Sequence, residues 1–120
     1  MKFLSSKLHG FVDYAAAIAL IVVPFIIFPQ DSSPLAIWFS VAAGIALILY
    51  SLITDYSASV RRMLPFRLHL LIDLAAGTAF VVAPFLLGFE GIIFGYYIVM
   101  GAAVIMVVAV TNNDTLSKVG

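Results

Sequence analysis

Long apolar stretches alternate with short polar segments along the chain, and four of these stretches are long enough to cross a bilayer. A membrane-spanning helix needs about 20 mainly apolar residues, and the stretches that qualify occupy residues 8–28, 34–54, 68–89 and 92–111. The joints after the first and third stretches are short, so the helices on either side of each should run antiparallel. The pattern predicts an all-α membrane protein of four transmembrane helices arranged as two hairpins.

The second half of the chain repeats polar and proline positions of the first half. Three of them return sixty residues later: His9 as His69, Asp13 as Asp73, and Pro24 as Pro84. We therefore expect two-helix repeats over residues 1–60 and 61–120, with the same topology and a pseudo-two-fold axis along the membrane normal. Each proline removes one helical hydrogen bond late in its span and predicts a helix kink there.

Composition agrees with lipid as the main solvent. Apolar residues make up 64% of the 120 and charged residues 10%, and the mean hydropathy is +1.19. A soluble domain is nearer half apolar and a quarter charged. The absence of cysteine excludes disulfides, thiolate metal sites and thiol catalysis, and the net charge of zero gives no indication of nucleic acid binding.

The basic residues give an orientation, because all of them fall on one side of the predicted bundle: Lys2, Lys7, Arg61, Arg62, Arg67 and Lys118. The opposite side carries only Asp31 and Glu90. The positive-inside rule therefore predicts that both termini are cytoplasmic, as is the middle loop with its basic rim of Arg61, Arg62 and Arg67.

The histidine and aspartate of each repeat are four residues apart and share one helix face with small residues. From His9 that face continues through Ala17, and from His69 it continues through Gly77. Small residues let helices approach closely in lipid, so we expect the first and third helices to meet there. Asp55 adds a carboxylate at the cytoplasmic end of the second span.

These polar residues form a candidate site: His9, Asp13, Asp55, His69 and Asp73. We favour a structural interpretation, in which the histidine–aspartate pairs and the loop arginines pin the cytoplasmic ends of the helices. A proton or small-ion path is the main alternative, because ionisable residues inside membranes often mark one. A metal site, a bis-histidine haem between the first and third helices, and lipid head-group binding by the basic rim remain open.

Catalysis has no support in the sequence. It contains no His-Glu metalloprotease pattern, no phosphate-binding loop and no set of nucleophile, base and orienting group. We predict a non-enzymatic membrane protein with a structural or partner-binding role, no resident cofactor or metal, and no nucleic acid partner. The bilayer surrounds it, its small faces and small size are compatible with a homo-oligomer, and the sequence identifies no small-molecule ligand.

Two motifs and a pair of prolines resemble a known family. The motifs are LHGFVDY at residues 8–14 and SLITDY at residues 51–56. Together with Pro24 and Pro84 they resemble the SPW-repeat family of bacterial integral membrane proteins, whose two-span repeats carry a Ser-Pro-Trp signature late in the first span. Here the proline is kept, with valine or alanine before it and phenylalanine after it. The resemblance implies a multi-pass protein of the bacterial inner membrane and leaves its activity open.

Overall fold

Four α-helices make up most of the part of the chain that the computed structural model describes, residues 3–56 and 59–111. In chain order they are α1 (Ser6–Ile27), α2 (Pro34–Leu52), α3 (Phe66–Leu87) and α4 (Gly91–Val110). All four are long and apolar enough to cross a membrane, which confirms the predicted all-α membrane fold. Lys2 and Lys118, used above for the orientation, lie outside the described residues.

Serine and proline account for several helix boundaries. The Ser5 side chain accepts a hydrogen bond from the backbone N–H of Leu8 at 3.2 Å, which satisfies a donor at the start of α1. Pro34 begins α2, where its missing N–H would have had no helical partner. Pro24 and Pro84 are buried inside α1 and α3, and each helix ends three residues later. The kinks expected at these two prolines stay a prediction.

The turn between α3 and α4 depends on two glycines. Gly88 has φ 74° and Gly91 has φ 63°, in the left-handed region that glycine adopts without steric cost. The backbone N–H groups of Gly88 and Phe89 donate to the Pro84 carbonyl at 2.9 and 3.1 Å. The turn thereby satisfies a carbonyl at the end of α3.

The closest helix packing lies within each hairpin, where α1 packs along α2 and α3 along α4. A Cβ atom on Gly44 would lie 2.7 Å from the Ala17 carbonyl oxygen, and one on Gly101 would lie 2.6 Å from the Gly77 carbonyl oxygen. Small residues thus bring backbones together in lipid. They do so between neighbours in the chain, whereas we expected the small faces of the first and third helices to meet. A small face indicates close contact without identifying the partner helix.

A polar contact joins the two hairpins at the end of the bundle where α1 ends and α2 begins. Ser40 Oγ donates to the Leu20 carbonyl at 2.7 Å and lies 2.5 Å from Tyr96 Oη. The Tyr97 hydroxyl donates to the Ala36 carbonyl. Because Ser40 and Ala36 belong to α2 while both tyrosines belong to α4, these bonds connect one hairpin with the other.

Candidate functional site

Two histidines and two aspartates from α1 and α3 converge at the opposite end of the bundle. His9, Asp13, His69 and Asp73, here called the quartet, offer ligating atoms that all lie within 4.8 Å of one another. Both histidines are fully buried, and the aspartates are 4% and 5% exposed. The spacing of four residues places each histidine and its aspartate on one helix face. The structure therefore brings together four of the five residues of the predicted cluster.

The contacts of the quartet connect the hairpins as well as the two residues of each helix. His9 Nε2 lies 3.1 Å from Asp13 Oδ1 on its own helix and 3.0 Å from Asp73 Oδ2 on α3. His69 Nε2 lies 2.8 Å from Asp13 Oδ2 on α1 and 3.2 Å from Asp73 Oδ2 on its own helix. Although these distances are short, His69 Nε2 has no aligned hydrogen bond to either carboxylate.

A threonine of the opposite hairpin holds each imidazole ring. His9 Nδ1 lies 2.8 Å from Oγ1 of Thr111, which follows α4. His69 Nδ1 lies 2.7 Å from Oγ1 of Thr54, which follows α2. Each histidine is therefore bonded to the residue that ends the other hairpin, and the two contacts are related by the internal repeat.

The threonine hydroxyls also decide which ring nitrogen carries a proton. Thr111 Oγ1 donates to the Val107 carbonyl at 2.5 Å, and Thr54 Oγ1 donates to the Tyr50 carbonyl at 2.6 Å. A hydroxyl has one proton to donate, so each Oγ1 must accept from the imidazole beside it. Nδ1 is consequently the N–H donor in both rings, and Nε2 is the nitrogen that faces the carboxylates.

Two tyrosines donate to the carboxylates of the quartet. The Tyr50 hydroxyl donates to Asp73 Oδ1, and the Tyr56 hydroxyl donates to Asp13 Oδ2 at 2.9 Å. Tyr56 lies in the loop after α2, where burial and the charge of Asp13 raise the pKa of its phenol, so that the hydroxyl keeps its proton. Each carboxylate therefore accepts from a phenol as well as facing the imidazoles.

The fifth predicted cluster residue and the basic rim lie outside the quartet. Asp55 is half-buried in the loop after α2, where its backbone N–H donates to the Leu64 carbonyl at 2.7 Å. Arg61, Arg62 and Arg67 are exposed. In the described part of the chain the ion pairs of the quartet are all histidine–aspartate pairs, so the arginine contacts that we expected do not form.

A cavity of about 110 Å³ separates the hairpins next to the quartet. Apolar side chains of all four helices line most of it, and Asp13, Tyr50 and Asp73 border it at the quartet end. The two histidine rings stand edge to face with centroids 5.4 Å apart. That spacing leaves no room for a porphyrin plane between the rings, so a bis-histidine haem does not fit.

We did not predict Thr54, Thr111 or Tyr50 from the sequence as partners of the quartet, whereas Tyr56 was a possible hydrogen-bond partner of the cluster for which a membrane-anchoring role was favoured. Thr54 and Thr111 occupy matching places at the ends of the second and fourth spans, and this repeat was the available signal. No comparable signal marks Tyr50, because its counterpart in the second repeat is not a tyrosine.

One comparison with known proteins gives a match. The family model described as the SPW repeat domain matches residues 7–111. No curated protein and no solved structure gives a significant match. The matched range contains the whole quartet and all four helices except Ser6, the first residue of α1.

Proposed function

The chain belongs to the SPW repeat domain family, and we propose that it serves in the membrane as a structural or partner-binding module whose quartet fastens its two hairpins into one bundle. The family and the four apolar helices establish a small multi-pass membrane protein. The role of the quartet within that protein is the proposal.

One observation carries the proposal: close backbone packing occurs within the hairpins, whereas the polar contacts of the quartet run between them. Each histidine of the quartet lies within 3.0 Å of an aspartate on the other helix and within 2.8 Å of a threonine of the other hairpin. Buried polar contacts are costly to break when one partner is lost, by about 3–5 kcal/mol for an ion pair. The quartet therefore adds buried polar contacts at one end of two hairpins that otherwise meet through a shared apolar core and through the Ser40–Tyr96 contact.

A proton or small-ion path is the second candidate function. The apolar interior between the two polar ends of the bundle argues against it. Between the quartet and Ser40 the buried side chains of α1, α2 and α3 are apolar: Ala17, Leu20, Leu47 and Phe80. Asp13 and Leu20 are seven residues apart on a helix, which is about 10 Å. A single chain has no polar relay across that distance in its described part.

A non-enzymatic role is part of the proposal. The hydroxyls closest to the imidazoles are Thr54 and Thr111, and each already donates to a carbonyl and accepts from an imidazole. A nucleophile activated by histidine would need the reverse bond, with its proton directed at the ring. The arrangement supports orientation of the rings rather than activation of a hydroxyl.

The cellular setting completes the proposal. We place the protein in the inner membrane of a bacterium with both termini and the quartet end in the cytoplasm, because all six basic residues fall on that side. Assembly with further copies would use the exposed face of α4, which carries Val99 and Met106 and buries little against its own chain. Mass measurement in detergent at several protein concentrations tests that assembly.

The structural role and the ion path predict different behaviour for Asp13→Asn combined with Asp73→Asn. If the quartet fastens the hairpins, the variant in a chelator-containing detergent buffer unfolds at a lower temperature than the wild type. If the quartet conducts, the variant keeps its melting temperature and loses proton flux in liposomes. Asp55→Asn is the matched control, because it removes an acidic group outside the quartet. A variant with wild-type stability would contradict the structural role, whatever its flux.

A further inference from the structure

We propose that the quartet is a binding site for one divalent transition-metal ion, held by Nε2 of His9 and His69 and by one oxygen each of Asp13 and Asp73. The inference rests on the proposed function, since the four side chains must converge in the folded bundle, and it adds a ligand to that role. We predicted no resident metal from the sequence and kept a metal site as an open alternative, and the proposal takes up that alternative.

The imidazole nitrogens of the quartet are oriented toward a ligand. Because Nδ1 of each ring donates to Thr54 or Thr111, Nε2 is the nitrogen that faces the centre of the quartet. Without a proton, Nε2 presents a lone pair to two carboxylates, which is an unfavourable arrangement unless a cation lies between them. A proton on Nε2 supplies positive charge in the metal-free state, and a metal ion takes its place when bound.

One nitrogen of the quartet, His69 Nε2, is buried without a hydrogen-bond partner. His69 Nε2 is fully buried, faces both carboxylates and lacks an aligned hydrogen bond. Buried polar groups in proteins are nearly always satisfied, so an exception often marks a bound ion or a functional group. A cation at the centre of the quartet would use this nitrogen.

The spacing of the ligand atoms in the quartet is close to that of a coordination site. The four nitrogen–oxygen distances of the quartet are 3.1, 3.0, 2.8 and 3.2 Å. Ligand atoms about 2.0–2.2 Å from a tetrahedral metal ion are roughly 3.4 Å apart. With one ligand atom from each residue, all four atoms lie within 4.8 Å of one another, so side-chain adjustments of less than about 1 Å would bring them to tetrahedral spacing.

The net charge of the quartet suits a divalent cation. Two neutral imidazoles and two carboxylates carry a net charge of −2, which one divalent cation cancels. Uncompensated charge is costly inside a membrane, so neutrality favours a divalent over a monovalent ion. Nitrogen and oxygen donors together suit Zn²⁺, Mn²⁺ or Fe²⁺ better than Ca²⁺, which prefers oxygen alone.

The surroundings supply the outer contacts that metal sites use. Ligating histidines commonly donate their other N–H to an oxygen, which fixes the tautomer and the ring direction. Thr54 and Thr111 do this for the two rings, and Tyr50 and Tyr56 donate to the two carboxylates. Every ligand of the proposed site therefore has an orienting partner.

The test uses the full chain, purified without a polyhistidine tag, stripped with chelator and titrated with Zn²⁺ by calorimetry and with Co²⁺ by visible absorption. Because His9 and His69 are the only two histidines and cysteine is absent, imidazole coordination can arise only at the quartet. We expect one Zn²⁺ per chain and the strong visible bands of tetrahedral Co²⁺. Absence of saturable binding to the folded, metal-free protein would overturn the site.

Variants keep the test decisive even if loss of a ligand also unfolds the protein. Thr54→Val with Thr111→Val keeps all four ligands and should weaken Zn²⁺ binding by roughly 10–100-fold. Thr78→Val is the matched control, because Thr78 donates only to the Leu74 carbonyl of its own helix. Equal affinity of the double variant and the wild type would overturn the site. If the quartet stabilises the metal-free protein but does not bind Zn²⁺, the structural role is supported and the metal site is disproved.

Discussion

Nδ1 of His9 lies 2.8 Å from Oγ1 of Thr111, so a residue near the start of the first helix is bonded to the residue that follows the last. The internal repeat supplies the reciprocal contact between His69 and Thr54 at 2.7 Å. Each hairpin therefore contributes one imidazole that donates to the other hairpin and one threonine hydroxyl that accepts from the imidazole of the other hairpin. This exchange joins two hairpins whose closest backbone packing lies within each of them.

The threonine contacts should contribute to stability without any metal. Thr54→Val and Thr111→Val keep the side-chain shape and leave a buried N–H of the facing imidazole without an acceptor, which costs about 1–3 kcal/mol at each site. The free energy of unfolding in mixed micelles with chelator measures the loss. Thr78→Val, on an exposed face of α3, should change it little. An effect of Thr78→Val as large as that of the others would show that the loss is not specific to the quartet.

The close approach of α3 and α4 should make Gly101 intolerant of a methyl group. A Cβ there would lie 2.6 Å from the Gly77 carbonyl oxygen and 2.9 Å from the Val81 backbone nitrogen, and neither atom belongs to a flexible side chain. We expect Gly101→Ala to destabilise the protein by about 1–3 kcal/mol through overpacking. Gly95→Ala, on the same helix and with open space around its Cβ, should be neutral or stabilising. Equal effects of the two substitutions would contradict the packing.

The Tyr50 hydroxyl should be coupled energetically to Asp73 across the hairpins. Tyr50→Phe removes the donor to Asp73 Oδ1, and a double-mutant cycle with Asp73→Asn should give a coupling energy of about 1 kcal/mol. The same cycle with Asp55→Asn should give a coupling energy near zero, because the Tyr50 hydroxyl donates to Asp73 rather than to Asp55. Additive effects in both cycles would show that the Tyr50 bond contributes nothing specific.

The predicted orientation can be read from cysteine labelling, because the natural chain contains no cysteine. Met63→Cys lies in the exposed middle loop and Ser33→Cys in the loop before α2. A membrane-impermeant maleimide applied to intact cells stripped of their outer membrane should label Ser33→Cys at once and Met63→Cys only after permeabilisation. The opposite order would invert the topology.

The helices and the paired histidine and aspartate positions could be predicted from the sequence. Every helix end lies within two residues of its predicted boundary, because four apolar runs separated by polar joints leave little freedom. The spacing of His9 and Asp13, repeated at His69 and Asp73, placed them on facing surfaces because a helix brings residues four apart together.

The contacts across the bundle could not be predicted in the same way. Periodicity shows which face of a helix is polar or small, but not which helix that face meets. The small face with Gly77 was therefore expected to meet α1, whereas Gly77 packs against Gly101 of α4. Thr54 and Thr111 end apolar spans, where a threonine has many roles. Their role depends on hairpin-to-hairpin placement, which no local pattern encodes.

Spin-label distances test most directly whether the quartet fastens the hairpins. Leu49→Cys and Met106→Cys place labels on exposed positions of α2 and α4 near the quartet, and Leu35→Cys with Ile92→Cys places them near the other end. In metal-free lipid nanodiscs, Asp13→Asn with Asp73→Asn should broaden and lengthen the distance distribution of the first pair. The distribution of the second pair, beside the Ser40 contacts, should stay narrow. An unchanged distribution for the first pair would show that the hairpins stay together without the quartet and would contradict the account.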